Sequence, residues 1–241
     1  MSVVDLDLKP LPARSVVLSL MLGSQPLRWT PAVLVRAGEH FGIPAPTLRV
    51  ALTRAVAAGD VRREDGDYVL GDRLVRRQRR QDEAVLDAET PWDGTWEMAA
   101  VVVAGRSAPE RAALRETLTA HRLAELREGL WVRPANLRRP RRYADDPVLV
   151  TFTGRPDDGR ASVAARLWDL TGWAAEGRRL VDQLQRTHEP ALRLAAAAHL
   201  VRHLAADPLL PAALLPADWP GAALRSTYAA YQAELRHLAS V

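Results

Sequence analysis

The chain has no cysteine. Disulfides, thiolate catalysis and cysteine-based zinc sites are thereby excluded. It has almost no lysine: Lys9 is the only one, and arginine supplies the rest of the positive charge. High genomic GC content produces such a bias, so the bias alone carries no functional message. No stretch approaches the roughly 18 consecutive apolar residues of a membrane span. The opening "MSVVDLDLKP" lacks a basic n-region and an apolar h-region, so no secretory leader and a cytoplasmic location are expected. No serine sits in a nucleophile-elbow context, and there is no glycine-rich phosphate loop. Catalytic residues are not expected.

What remains is a 241-residue chain, 48% hydrophobic and 26% charged, which is globular in composition and long enough for one large domain or two to three small ones. Its charge is unevenly spread. Residues 1–80 hold 13 basic and 8 acidic side chains, whereas residues 81–241 hold 20 and 21. The excess lies in the first third, as expected of an N-terminal module that faces a polyanion.

Residues 1–12 are expected to be a frayed tail. "ARSVVLSLMLGS" predicts a first helix ending near Gly23. "TPAVLVRAGEHFG" predicts a second, capped by Thr30, with Pro31 in its first turn and Gly42 at its end. "IPAPTLRVALTRAVAAG" predicts a third, stopped at Gly59. "VRREDGDYVL" then predicts two short strands around the tight turn Asp65-Gly66. Three helices and a hairpin in about 60 residues give a winged helix-turn-helix over 13–70. A linker helix is expected over 71–89, with Asp72 as its cap. Over 90–156 the order is strand "TWEMAAVVV", helix "APERAALRETLTAHR", strands "AELREGLWVRP" bent at Glu128-Gly129, and strand "PVLVTFTG". That order fits a small ferredoxin-like domain. Its second helix is in doubt, because "ANLRRPRRYADDP" is short and broken by prolines. From 160 to 241 the chain is expected to form a helical C-terminal domain, interrupted by "ADPLLPAALLPADWPGA". The fold class is α+β.

On a helical wheel, Leu48, Ala51, Leu52, Ala55 and Val56 of the third helix share one arc and are expected to pack inward. Thr47, Arg49, Val50, Thr53 and Arg54 occupy the rest. Those are groups that read a major groove: arginine bidentate to guanine, threonine to phosphate or base, valine to a thymine methyl. Arg62 and Arg63 on the hairpin are placed to reach backbone or minor groove. In the linker helix Arg73, Arg76, Arg77 and Arg80 lie within about 100° of one another, a stripe that could track phosphates. A solvated face whose arginines pair with acids is the other reading of both features.

"ARSVVLSLMLGS", "FGIPAPTLRVALTRAVAAGDVRREDGDYVL", "PWDGTWEM", "HRLAELREGLWVRPANL", "LWDLTGW" and "DPLLPAALLPADWPG", in this order, resemble the PaaX family of bacterial repressors of phenylacetic-acid catabolism. The resemblance runs from about residue 13 to the C-terminus. It implies a homodimer that binds double-stranded operator DNA and is released by phenylacetyl-CoA or a related aryl- or acyl-CoA. No membrane partner is expected, because no apolar run is long enough to span one, and no cofactor is expected beyond that effector. "RRPRRYADDP" departs from the family, which usually has a longer helical segment there.

A CoA thioester needs guanidinium or N–H donors for its phosphates and an apolar wall for its acyl group. Arg138, Arg139, Arg141 and Arg142 are the expected phosphate cluster, with Trp96 or Trp131 as the wall; a solvated loop that adds to DNA affinity is the alternative. Trp92, Trp168, Trp173 and Trp219 are expected in cores. His199 and His203 have a zinc-compatible spacing, but the glutamate of the protease motif is missing. The family's central domain also resembles ferredoxin-like CRISPR-associated endoribonucleases, which need a carboxylate at the end of the first strand. Here that strand ends "VVVAGRS", without one, and nuclease activity is rejected. The alternatives are the same architecture answering to another aromatic acid or acyl-CoA, a metal-dependent nuclease on the ferredoxin-like domain, which a metal-dependence test on RNA and DNA would separate, and a DNA-independent scaffold that binds acidic protein.

Overall fold

The computed structural model describes residues 8–23, 28–76, 78, 90–157 and 159–240. By its contacts the chain divides into two units. One comprises Met1–Leu86, Ala175–Asp207 and Pro220–Val241; the other comprises Asp87–Ala174 and Pro208–Trp219.

In the first unit, helices α1 (Ala13–Gly23), α2 (Pro31–His40) and α3 (Ala45–Ala57) precede strands β2 (Val61–Glu64) and β3 (Asp67–Leu70). Thr30 caps α2 by accepting from the Val33 amide at 3.2 Å, with Pro31 at the first turn. Gly38 lets α3 come close: a Cβ there would meet Leu48 Cδ1 at 2.4 Å. The β2–β3 turn has positive φ at Asp65 and at Gly66, the backbone of a type I′ turn that matches strand twist. A third strand escapes sequence inspection. The two-residue β1 (Arg28–Trp29) pairs with β3, so the sheet order is β1-β3-β2, antiparallel. Val17, Leu20, Trp29, Leu34, Leu48, Leu52 and Ala55 are buried in the core of this module. Helix α7 (Pro190–Ala205), helix α8 (Gly221–Ser240) and most of α6 (Leu170–Arg186) belong to the same unit. The C-terminal region expected to be a helical domain of its own is thus shared between the units.

The second unit is built on β4 (Trp96–Val101), β5 (Ala124–Arg127), β6 (Leu130–Pro134) and β7 (Leu149–Gly154). The order β5-β6-β4-β7, antiparallel throughout, is the ferredoxin-like arrangement. Helix α4 (Ala108–Ala120) opens with a capping box: Ser107 Oγ accepts from the Glu110 amide while Glu110 accepts from the Ser107 amide. It covers one sheet face through Leu114 and Leu118, which pack with Ala99, Trp131 and Leu149. On the other face Trp96 and Val132 pack with Ala164 of α5 (Arg160–Leu167) and with Leu210 and Leu214 of the returning 208–219 segment. Where a second ferredoxin-like helix would stand there is one 3-10 turn, Arg142–Asp145, consistent with the prolines around it.

Candidate nucleic-acid interface

Helix α3 buries Leu48, Ala51, Leu52 and Ala55. Its opposite face leaves Thr47, Arg49, Val50, Thr53 and Arg54 exposed together. Val50 is 51% exposed, one of few large apolar side chains in water. The Thr53 hydroxyl donates back to the Arg49 carbonyl at 3.0 Å, which keeps it along the helix surface. Among the described residues, neither Arg49 nor Arg54 lies within ion-pair distance of a carboxylate. The helix therefore presents two uncommitted guanidiniums on one face.

The other expected contacts are more engaged. Arg62 pairs with Asp72 at 2.7 Å and Glu64 at 3.6 Å. Arg63 is exposed and lies 5.4 Å above the Tyr68 ring. Arg73 hydrogen-bonds and pairs with Asp60, which Arg14 of α1 also holds. Asp60 is wholly buried, and burial alone would raise its pKa. The hydrogen bonds and charges of Arg14 and Arg73 outweigh burial and hold the carboxyl below its ordinary value. Arg73 thus anchors the chain leaving the wing, and Arg76 is exposed one turn later. Arg77 and Arg80 lie outside the described residues. Sequence inspection missed Arg36, an exposed arginine of α2, because a lone cation on an amphipathic helix gives no signal.

The residues expected to hold an effector do not form one site. Trp96 and Trp131 are both buried, on opposite faces of the sheet. Arg139 and Arg141 turn inward to Glu97, a carboxylate 2% exposed, at 2.9 and 3.1 Å. Arg133 meets Glu97 at 3.2 Å and Tyr143 donates its hydroxyl to it. Burial and then the Glu97 bond push the Tyr143 pKa up, so the phenol stays a donor. Burial and the Arg139 charge lower the His121 pKa, which favours a neutral ring whose Nδ1 accepts from Arg139. Arg138 and Arg142 are exposed. Half of that cluster is therefore a structural charge network, a role invisible without knowing that Glu97 points inward. Arg133 and Asn136 extend it: both donate to the Leu209 carbonyl, at 3.2 and 3.0 Å, and hold the returning segment.

Burial lowers the His199 pKa, and no group of three or more His, Asp or Glu side chains gathers to hold a metal among the described residues. No described helix is long and apolar enough to cross a membrane.

Three family models match the chain in order: PaaX-like protein over residues 12–74, PaaX protein central Cas2-like domain over 89–150, and PaaX-like protein C-terminal domain over 168–241. The chain belongs to the PaaX family. A solved structure, an uncharacterized protein (Rv0674) from Mycobacterium tuberculosis, is 45% identical, with a TM-score of 0.81 over 95% of this chain and 99% of that one. No curated protein matches. PaaX membership makes the chain a regulator by family, and the winged module described above is the part matched by the first family model.

Proposed function

We propose that the protein is a transcriptional repressor that binds operator DNA as a homodimer and is released by phenylacetyl-CoA or a related aryl- or acyl-CoA. One observation carries this reading: the uncommitted face of α3, with Arg49 and Arg54 beside Thr47, Val50 and Thr53. In a winged helix-turn-helix the helix after the turn enters the major groove, and these are the side chains that read base edges. Arg63 and Arg62 on the wing, with Arg76 beyond it, supply phosphate contacts. A dimer on a two-fold operator sets half-sites roughly 34–36 Å apart or a multiple of that. An effector lowers occupancy by binding the DNA-incompetent form more tightly.

The test is a gel shift with the promoter of the protein's own operon, with and without phenylacetyl-CoA. Specific retardation that phenylacetyl-CoA abolishes is expected. Arg49→Ala should weaken the specific complex by about 1–3 kcal/mol and relax preference at one operator position. Equal binding to unrelated DNA by both proteins would refute base reading by α3.

A further inference from the structure

The second unit contains a groove that the charge network around Glu97 does not touch. It has a volume of about 830 Å³, within the range of roughly 300–1,000 Å³ typical of small-molecule sites. It lies between the loop after β4, the first turns of α4 and the tip of the β5–β6 hairpin. Four arginines line it, Arg106, Arg111, Arg115 and Arg127, against two acids, Glu125 and Glu128.

The four arginines are not equivalent. Arg115 is neutralised by Glu125 at 2.6 Å and lies 5.3 Å above the Trp131 ring, closing the floor. Arg106 donates to the Glu110 backbone carbonyl at 2.8 Å, and Arg111 donates to the Arg106 carbonyl. Those bonds orient both guanidiniums without cancelling their charge. Among the described residues, none of Arg106, Arg111 and Arg127 lies within ion-pair distance of a carboxylate. Two oriented guanidiniums, Arg106 and Arg111, with Arg127 at the hairpin tip, none of them ion-paired among the described residues, are a receptor for anionic oxygens, because guanidinium binds phosphate and carboxylate through paired donors. Apart from Glu128, the remaining wall is apolar. Val103 is 45% exposed there, and Ala112 is exposed on the same side of α4. A small-molecule site typically combines such an apolar wall with a few polar groups that fix the ligand's orientation.

We infer that this groove binds an amphiphilic organic anion, with phosphate or carboxylate oxygens on Arg106, Arg111 and Arg127 and an acyl or aryl moiety against Val103 and Ala112. This places the effector of the proposed repressor in the groove, and in that respect it rests on the proposed function. Binding itself does not, because it is measured on the protein without DNA.

The test is calorimetric titration of the full-length protein with phenylacetyl-CoA, with coenzyme A and phenylacetate as separate probes. Phenylacetyl-CoA should bind more tightly than either part. Arg106→Ala combined with Arg127→Ala should raise its Kd at least about tenfold, since each removes a charge-assisted contact. Ala112→Trp, which fills the groove from an exposed helix position, should raise it as well. Both variants should keep the parental unfolding temperature and the parental affinity for DNA without ligand. The proposal is overturned if phenylacetyl-CoA does not bind the parent, or if both groove variants titrate like the parent. It is equally overturned if Arg138→Ala with Arg142→Ala is what abolishes binding. Binding lost in the groove variants, with no release of DNA from the parent, would leave the site standing and refute its role as effector site. DNA release retained in the groove variants would place the effector elsewhere and leave the proposed function standing.

Discussion

Asp60 sits where α3, the wing and the chain beyond the wing meet, and two guanidiniums from different helices close over its carboxylate. In the unfolded chain that carboxyl titrates near its ordinary value of 3.8; in the fold it titrates lower. The stability it contributes is complete above the unfolded value and is lost as pH falls through the folded one. Asp60→Asn should therefore destabilise the protein at pH 7 and flatten the loss of stability below about pH 4. The two arginines remain partly exposed and can turn to water, so the cost should be about 1–3 kcal/mol rather than the larger cost of a fully buried broken pair. Urea unfolding at pH 7 and pH 3.5 checks both halves; a variant with the parental pH slope would contradict the assignment. The composition shows how many arginines there are, and the helical wheel shows which face they share. Neither shows which of them is already held by an acid: Arg73 by Asp60, and Arg139 and Arg141 by Glu97, all acids whose inward direction only the fold reveals.

Elements with a period or a turn signature were legible: α1 to α3, the Asp65-Gly66 turn, and the strand–helix–strand–strand order of the central sheet. β1 was not, because two residues carry no alternation. The wing also depends on a glycine that no motif marks. The amide of Gly71 donates to the Asp60 carbonyl at 2.7 Å, and a Cβ at Gly71 would stand 2.1 Å from the Gly59 carbonyl oxygen. That neighbour is backbone and cannot rotate away. Gly71→Ala should cost about 1–3 kcal/mol or more through overpacking, seen as a fall of several degrees in the thermal midpoint. An unchanged midpoint would show that the chain passes the 59–60 turn less closely than described.

For the whole molecule, the first 80 residues carry the positive excess, so DNA affinity should fall steeply with salt. Arg36→Ala and Arg76→Ala should each lower the slope of log K against log salt by about 0.9, without changing sequence preference. Arg73→Ala should instead lower the thermal midpoint, because that side chain holds Asp60. Parental slopes in both Arg36 and Arg76 variants would place the phosphate path elsewhere. The arginines expected at an effector site were the least legible part at this scale, because Arg139 and Arg141 turn to Glu97 whereas Arg138 and Arg142 stay exposed. The proposed groove, by contrast, gathers arginines from a loop, a helix and a hairpin tip, which no local stretch of sequence displays.

The segment from 208 to 219 leaves one unit to complete the other, held by Arg133 and Asn136 at the Leu209 carbonyl. This sets an order for synthesis on the ribosome. The four strands of the central sheet are translated by residue 154, but Leu210 and Leu214, which close its second core, arrive some 60 residues later. At about 5–20 residues per second, that face of the newborn sheet waits roughly 3–12 s with α5, but not Leu210 and Leu214, to cover Trp96 and Val132. Chaperone demand should therefore peak in that interval, and a chain truncated before 208 should be captured by holdases rather than accumulate as a free central domain.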